Sequence, residues 1–416
     1  MSARLPERRR VVVTGIGPVT PVGIGREAFW TAITSGTGGV REISSFDAGG
    51  LPVRIAGEVR DFDPTNWMDR KEAKRSDRVS HLAVAAAKLA WQDAGEPEVD
   101  HARTAVMFST GIGGLSSLLA QHLVYLEKGP DRVSPFMVPQ LMPNASAGHV
   151  AMAFGFTGPN ACITTACAAG CHAVGEGSRW IREGYADVCI AGGTEAPILP
   201  LTVAAFAQMQ ALTRNPDPRT ASRPFDRERD GFVLSEGACA LILEEAGHAK
   251  ARGAHIFAEV AGYGASADAY HITAPEPEGL GAIQAIAACL EDADASPEDV
   301  DYINAHGTST QLNDAAETRA IKKSLGDHAH RVAVSSTKSM TGHMLGAAGA
   351  VEAGVISLAV DTGVIPPTIN YRTPDDECDL DYVANEARAA DVSFAISNSF
   401  GFGGQNAVAA VRRFEG

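Results

Sequence analysis

The 416-residue sequence has no pair of cysteines spaced as Cys-x-x-Cys. Its seven cysteines are scattered, which disfavours a disulfide scaffold or a cysteine-rich zinc site and fits a reducing, cytoplasmic compartment. No apolar core follows the basic N-terminal run 1–10, so we expect no secretory peptide. Basic residues are also in deficit, with 35 Lys and Arg against 50 Asp and Glu. The net charge of −15 disfavours a nucleic-acid or anionic-membrane partner.

Three long stretches contain no charged side chain, at residues 133–175, 339–351 and 392–411. Proline, glycine and small polar residues interrupt them, whereas a membrane-spanning helix needs about 20 predominantly apolar residues. We therefore expect these stretches to be buried in the fold or at a subunit interface, with no membrane contact. Hydrophobic residues make up 45% of the chain and charged residues 20%, which is typical of a globular protein.

The sequence divides into two similar halves. Four segments of the first half resemble four segments of the second in the same order, namely 11–17, 90–114, 163–170 and 237–243 against 258–264, 288–310, 334–340 and 405–411. The alternative is that α/β chains in general repeat helix–turn–strand units. The parallel order favours duplication, and its long period excludes a solenoid. We place the halves at residues 1–253 and 254–416.

Both halves alternate short apolar runs with helical patterns, which predicts an α/β fold whose mixed or parallel sheets are covered by helices. In the first half, strands are predicted at 10–14, 104–108, 188–191 and 238–243. A helix is predicted at 77–94 with Ser76 or Asp77 as its N-cap, and a matching helix at 281–292.

Cys167 lies in Ile163-Thr-Thr-Ala-Cys-Ala-Ala-Gly170, between a strand-like run that ends at Thr165 and a predicted helix of small residues at 168–182. At a helix N-terminus, the dipole and the free N–H groups stabilise a thiolate and can supply an oxyanion donor. A free cysteine is more often a small buried core residue, which is our interpretation of the other six.

Two histidines lie in loops of Gly, Thr and Ser. His306 follows a predicted strand at 300–303 within Asn304-Ala-His-Gly-Thr-Ser-Thr310, and His343 lies within the motif 338–349. Each loop precedes a predicted helix, whose N-terminal dipole favours the neutral imidazole. Lys338 is isolated in an uncharged stretch and needs a counter-charge, for which Glu352 is the candidate. The other ten histidines are interpreted as structural.

The segment Asn398-Ser-Phe-Gly-Phe-Gly-Gly404 follows a predicted strand at 393–397 and is either a flexible lid beside a site or an ordinary turn. The four motifs around Cys167, His306, His343 and this segment together resemble the β-ketoacyl-[acyl carrier protein] synthases of the thiolase superfamily. Among these, the sequence is most similar to the elongating type II synthase of bacterial fatty acid synthesis. The resemblance covers essentially the whole chain and implies a five-layered αβαβα fold made of two duplicated halves.

The resemblance also implies an activity, a ping-pong decarboxylative Claisen condensation that joins an acyl group on Cys167 to malonyl-[acyl carrier protein]. By resemblance, Cys167 is the nucleophile, and His306 and His343 stabilise the enolate that decarboxylation forms. Lys338 supports the histidines electrostatically, and the N–H groups of Cys167 and Phe402 form the oxyanion hole. No cofactor and no metal are implied, because the acyl carrier protein brings the substrates on its phosphopantetheine arm.

The resemblance further implies the residues that bind the substrates. Ile112 would line an acyl tunnel and Phe400 would belong to a gating loop. Thr308 and Thr310 would contact the pantetheine arm, and Thr273 is a further substrate-binding residue. An acidic acyl carrier protein would dock on basic residues despite the net charge of −15, namely Lys71, Lys74, Arg75, Arg132 and Arg214. If segment 69–78 is helical, Lys71, Lys74, Arg75 and Arg78 share one face. The alternative for this segment is a solvated helix face without a partner.

The family is expected to work as a homodimer, but a second pathway stays open. The catalytic ketosynthase subunit of a type II polyketide synthase has the same Cys and His set and pairs with a chain-length factor. The ending Gln405-Asn406 departs from the family's commoner Thr-Asn or His-Asn, which is less typical of primary metabolism.

Three other classes are disfavoured. A non-catalytic chain-length subunit would lack Cys167. A thiolase would need a second catalytic cysteine, and neither Cys289 nor Cys378 lies in a glycine-rich motif. The glycines at 111–114 lack the spacing of a nucleotide-binding loop.

Overall fold

The computed structural model describes residues 8–416, so residues 1–7 of the basic N-terminal run lie outside the described residues. Ten core strands form two sets of five. The first set is β1 (Val11–Thr20), β2 (Thr104–Ser109), β3 (Asn160–Ala161), β4 (Val188–Glu195) and β5 (Gly237–Glu245). The second set is β6 (Ala258–Ala267), β7 (Tyr302–Asn304), β8 (Ala333–Ser335), β9 (Phe394–Gly401) and β10 (Gln405–Arg412).

The two sets of strands pair in the same way. The first set has the order β1-β5-β4-β2-β3 and the second has the order β6-β10-β9-β7-β8. In each set, the first two contacts are antiparallel and the last two are parallel. The sets join where β1 meets β6, through two antiparallel residue pairs. This repetition of strand order and direction is the duplication that the sequence predicts, and the predicted boundary at residue 253 lies in the loop before β6.

Ten helices of at least six residues lie within residues 8–416. They are α1 (Arg26–Thr34), α2 (Arg78–Asp93), α3 (Leu115–Lys128), α4 (Ala145–Phe154), α5 (Ala169–Arg182), α6 (Pro200–Gln208), α7 (Ala246–Ala251), α8 (Leu280–Asp292), α9 (Gln311–Leu325) and α10 (Ala348–Thr362). Shorter helices lie at Arg70–Ala73, Met137–Leu141 and Lys338–Thr341, and short strands at Gly23–Ile24, Arg41–Glu42, Ile55–Ala56, Val364–Ile365 and Arg388–Ala389.

The helices and sheets form five layers. Helix α2 packs on the outer face of β1, β5 and β4, and α8 packs in the equivalent place on β6 and β10. Helices α5 and α10 contact each other between the two sets of strands. The order is therefore αβαβα, which confirms the predicted fold class.

Helix α10 shows why the residues of the middle layer are apolar. All its residues from Ala348 to Val360 are buried, because a sheet or another helix covers every face. The wider segment Leu345–Thr362 is long and apolar enough to cross a membrane, but 89% of it is buried inside the fold. It is a core helix, and the helix ends where Gly363 adopts a left-handed conformation.

Local predictions are confirmed where side chains cap the elements. Asp77 is the N-cap of α2 and its carboxylate accepts the N–H of Val79.

The run before Cys167 is not a strand, since β3 ends at Ala161 and residues 162–165 have no regular structure. Segment 69–78 is not one helix either. Asp69 caps a helix that ends at Ala73, and a new helix begins at Arg78.

Candidate active site

Four loops meet around one cavity of about 680 Å³. They are the turn Ala166–Ala168 before α5, the loop after β7, the segment that follows the short helix Lys338–Thr341, and the turn between β9 and β10. The first loop belongs to the first half of the chain and the other three belong to the second half. The loops bring together Cys167, His306, His343, Phe400 and Phe402, all of which line the cavity.

Cys167 lies in a sharp turn at the start of α5. The preceding residue, Ala166, has φ of +49°, a left-handed conformation that costs roughly 1–2 kcal/mol for a residue with a Cβ atom. The Cys167 side chain is buried, and its Sγ lies 3.1 Å from Nε2 of His343. The strained turn therefore holds the thiol against a histidine at the end of the cavity.

Burial raises the pKa of the Cys167 thiol to about 12. The backbone N–H groups of Phe402 and Cys167 and the positive charge of Lys338 act in the opposite direction but do not outweigh burial. Burial therefore opposes the thiolate that the sequence predicts at this helix terminus. The resting group is a thiol, and its nearest proton acceptor is His343.

Both histidines of the cavity are neutral. Burial lowers the pKa of His306 and His343 well below the usual histidine range, and the charge of Lys338 lowers both further. Their rings stand 5.4 Å apart between centroids and nearly perpendicular, at 85°. The ring of Phe232 packs edge-on against His343, and Phe400 lies beside His306. The apolar walls thus keep two neutral imidazoles beside the thiol, as the sequence predicts.

Lys338 and Glu352 form a buried ion pair, as the sequence predicts. Both side chains are almost fully inaccessible, and the Lys338 ammonium donates to Oε1 of Glu352. Burial raises the pKa of Glu352 to about 7, although the neighbouring ammonium favours the carboxylate. The Lys338 ammonium is the positive charge that lowers the pKa of both histidines.

Two buried carboxylates that the sequence analysis missed hold the loops in place. Glu195, at the end of β4, accepts hydrogen bonds from the Thr110 hydroxyl and from the N–H groups of Gly111, Ile112 and Gly346, at 2.8–3.1 Å. It therefore ties the loop after β2 to the loop that carries His343. The available signal was an acidic residue at the end of an otherwise apolar strand.

The second carboxylate is Glu317 on α9. It accepts the N–H groups of His306 and Gly307, each at 2.8 Å, and the side-chain amide of Asn398 at 3.0 Å. It thus fixes the backbone of the His306 loop against the end of β9. Its signal in the sequence was weaker, since helices often carry glutamate on a solvated face.

The three threonines predicted to bind substrate, Thr273, Thr308 and Thr310, all line the cavity. The hydroxyl groups of Thr308 and Thr310 lie 3.0 Å apart. Ile112 does not line this cavity. It packs in the apolar cluster that also contains Cys167, while its N–H is held by Glu195. The roles of these residues in substrate binding stay predictions.

The predicted lid, residues 398–404, consists of the last residues of β9 and most of the turn into β10. Gly403 and Gly404 have positive φ, as a tight turn requires. The turn is tied to a neighbouring segment, because Asp268 N–H donates to the Gly404 carbonyl and Gly403 N–H donates to the Ile272 carbonyl. Its mobility stays a prediction.

The five predicted docking residues are all exposed, but they are arranged differently from the prediction. Arg214 lies at the cavity, whereas Lys71, Lys74 and Arg75 share no continuous helical face because the helix ends at Ala73. The guanidinium of Arg75 stacks on the ring of Phe136, 4.7 Å from its centroid.

Arg78, which the predicted face included, is not free for a partner, since it donates to both carboxylate oxygens of Glu236 at 2.7 Å. The docking role of the other basic residues, Arg132 among them, stays a prediction.

Comparisons with known proteins agree with this geometry. Family models described as β-ketoacyl synthase, N-terminal domain, and β-ketoacyl synthase, C-terminal domain, match residues 8–249 and 257–372. A 3-oxoacyl-[acyl-carrier-protein] synthase 2 from Synechocystis is 52% identical over 98% of this chain and 99% of the relative. One from Coxiella burnetii is 48% identical with the same coverage.

Solved structures are similar over nearly the whole chain. A type II polyketide ketosynthase, solved in complex with its acyl-carrier protein and bound to the hexaketide, has a TM-score of 0.91 and 37% identity. A β-ketoacyl synthase from Burkholderia phymatum has a TM-score of 0.90 and 35% identity. Each alignment covers 98% of this chain and 100% of the other.

Proposed function

Because the chain belongs to the β-ketoacyl synthase family, we propose that it condenses an acyl group held on Cys167 with malonyl-[acyl carrier protein]. It is a carbon–carbon bond-forming β-ketoacyl-[acyl carrier protein] synthase of fatty acid chain elongation, and by the group it moves it is an acyltransferase. The observation that carries this proposal is the 3.1 Å contact between Cys167 and His343, beside a second neutral histidine in one cavity.

The first half-reaction transfers the acyl group. The Cys167 sulfur attacks the thioester carbonyl while its proton passes to Nε2 of His343, because the thiol is protonated at rest. The N–H groups of Cys167 and Phe402, which both lower the pKa of the thiol, would donate to the oxyanion of the tetrahedral intermediate. His343 then gives this proton to the departing sulfur, so the carrier leaves as a free pantetheine thiol and an acyl thioester remains on Cys167.

The second half-reaction uses both histidines. A malonyl thioester enters the cavity and loses CO2, which leaves an enolate whose oxygen needs hydrogen-bond donors. Each neutral ring, in the tautomer whose N–H faces the cavity, can donate one hydrogen bond to this oxygen. The enolate carbon then attacks the acyl-Cys167 carbonyl, which forms the new carbon–carbon bond, breaks the thioester and releases the Cys167 thiolate, and this thiolate takes a proton from solvent. The two carrier-bound substrates use one site in turn, hence ping-pong order.

Fatty acid elongation is favoured over polyketide synthesis by the degree of similarity. The relatives named 3-oxoacyl-[acyl-carrier-protein] synthase 2 reach 52% identity, whereas the ketosynthases of polyketide complexes stand at 37–38%. The second candidate is the catalytic subunit of a type II polyketide synthase, for which the TM-score of 0.91 with one ketosynthase/chain-length-factor structure is the supporting observation.

The protein works with an acyl carrier protein, and we propose that it acts as a homodimer in the cytoplasm. Helix α3 supports a subunit interface, because it has no buried residue although it carries Leu123, Tyr125 and Leu126, each more than half exposed. These side chains adjoin the uncharged stretch 133–175 in sequence. Apolar surface of this kind is typical of a face that a second subunit covers.

Intact-mass analysis tests the proposed function. The protein is incubated with acyl carrier proteins loaded with acyl chains of graded length, and then with malonyl-[acyl carrier protein]. We expect one acyl group on the protein and one β-ketoacyl product per condensation. Cys167→Ala should abolish both, whereas Cys162→Ala should retain both as the matched control. Undiminished condensation by Cys167→Ala would refute the proposal, and repeated condensation without reduction of the keto group would support the polyketide alternative.

A further inference from the structure

The three reactive side chains of the cavity also form a ligand set for a metal ion. Sγ of Cys167 and one ring nitrogen each from His306 and His343 lie within 4.8 Å of one another, and all three residues are buried. The three come from separate loops, so the main chain fixes each one independently. The condensation reaction uses these groups without a metal, which leaves their joint affinity for an ion unassigned.

We propose that the acyl-free protein binds one thiophilic divalent ion, of which Zn²⁺ is the type, through Cys167, His306 and His343, and that the bound ion blocks acyl transfer. The ion is an inhibitor and takes no part in the condensation.

The ligand distances fit a tetrahedral ion after small rotations of the rings. Zn–S bonds of about 2.3 Å and Zn–N bonds of about 2.0–2.1 Å separate neighbouring ligand atoms by about 3.3–3.6 Å in a tetrahedron. The Cys167–His343 pair stands at 3.1 Å, and no pair of the three ligand atoms exceeds 4.8 Å. The fourth position faces the cavity, where water can complete the coordination, as in other three-ligand zinc sites.

The chemistry of the donors selects the ion. One sulfur and two imidazole nitrogens prefer zinc, cobalt or copper, whereas magnesium and calcium prefer oxygen ligands. Binding forms three ligand bonds, the thiol proton leaves to solvent, and nothing is oxidised or reduced. The thiolate offsets one of the two positive charges that the ion brings.

The charged groups around the site can accommodate the remaining positive charge of the ion. The ammonium of Lys338 opposes a cation, but its charge is matched by Glu352. Glu195 acts on Cys167 as a negative charge, and Glu317 holds the His306 loop.

Two features make this ion exchangeable. A resident metal site fixes each histidine through a hydrogen bond to its second ring nitrogen, but Nδ1 of both histidines is buried without a partner among residues 8–416. In addition, a sulfur that carries an acyl group is no longer a thiolate ligand. Acylation and metal binding therefore exclude each other, and the ion competes with acyl transfer.

Metal binding is measured on the full chain without turnover, so that the result does not depend on the proposed function. Zn²⁺ and Co²⁺ are titrated into the acyl-free protein, and the readouts are the bound stoichiometry, the thiolate-to-cobalt absorption band and the alkylation of Cys167 by iodoacetamide. We expect one ion per chain, a cobalt–thiolate band, and protection of Cys167 that a chelator reverses. Mg²⁺ at the same concentration should not protect.

Two variants, one control variant and one modified form distinguish this site from other metal-binding sites on the protein. Cys167→Ser and His306→Ala should each weaken Zn²⁺ binding more than about tenfold, and Cys162→Ser should bind as the unaltered protein does. Protein acylated on Cys167 should also lose binding, which keeps the test decisive if a variant fails to fold. Unchanged Zn²⁺ binding by the acylated protein, equal protection by Mg²⁺, or cobalt bound without a thiolate band would each overturn the proposal.

Discussion

Replacing His343 with alanine should separate the two possible sources of nucleophile activation. The substitution removes the nitrogen that lies 3.1 Å from the Cys167 sulfur and leaves the helix terminus and the N–H group of Phe402 in place. If the helix terminus activated the thiol, acylation would continue almost unchanged. If His343 accepts the proton, acylation should slow and become dependent on hydroxide.

The size of the effect follows from the pKa of the thiol. With a pKa of about 12, roughly one Cys167 in 10⁵ is a thiolate at pH 7. A positioned base contributes typically about 10²–10⁴-fold, and we expect a loss of this size in the rate of acylation of His343→Ala. The remaining rate should rise about tenfold per pH unit between pH 7 and 10, because it depends on the thiolate fraction. The unaltered protein should show a flat profile over this range, since the pKa of His343 is lowered well below 6.5 and the ring is neutral throughout.

Acylation is measured by rapid quenching and intact-mass analysis with a small acyl-pantetheine thioester, which removes carrier docking from the rate. His306→Ala is the matched control, because its ring makes no hydrogen bond to the sulfur, and it should lose malonyl decarboxylation while its acylation changes less than about tenfold. Equal rates and equal pH profiles for His343→Ala and the unaltered protein would refute a proton-accepting role for His343.

Three further experiments test other parts of the protein. Lys338→Met should lower the free energy of unfolding in urea by about 3–5 kcal/mol, because it leaves Glu352 buried without its partner, and a second change of Glu352→Leu should restore most of the loss. Reversing Lys74 and Arg75 to glutamate should raise KM for carrier-bound substrate in a salt-dependent manner and leave the small thioester unaffected, whereas equal effects on both would contradict docking. Glu195→Gln should shift the pH midpoint for alkylation of the catalytic thiol downward, because the carboxylate charge raises that pKa; an upward shift would show that only packing was lost.

The fold could be predicted from the sequence because the same order of segments occurs in both halves of the chain. Three of the four matched pairs of segments fell on matched strands, whereas 163–170 follows its strand, and the apolar middle helices were recognisable because both sheets cover them. The pair Lys338 and Glu352 was predictable because charges are absent from the residues between them. The protonation of Cys167 was not predictable, since it depends on how completely four distant loops exclude water.

Contacts that a local sequence pattern does not show account for the other differences between the prediction and the structure. Glu195 accepts the N–H of Gly346 and Glu317 accepts the side-chain amide of Asn398, both far away in the chain, and no local pattern marks such partners. The basic segment at 69–78 had helical spacing throughout, but Asp69 and Asp77 each cap a separate helix, which breaks the expected face.

The repeated architecture has a consequence for how the chain could be divided. When the two halves are superimposed in sequence, Lys338 falls opposite Cys167, since 163–170 matches 334–340. Equivalent places therefore carry different chemistry, a nucleophile in one half and a fixed positive charge in the other. A fragment ending near residue 253 would keep the thiol without any proton acceptor from the second half. A symmetric pair of such fragments would contain two thiols and still no such acceptor. Catalysis in this protein thus depends on the divergence of two once-identical units, and restoring activity from separated fragments requires one copy of each kind.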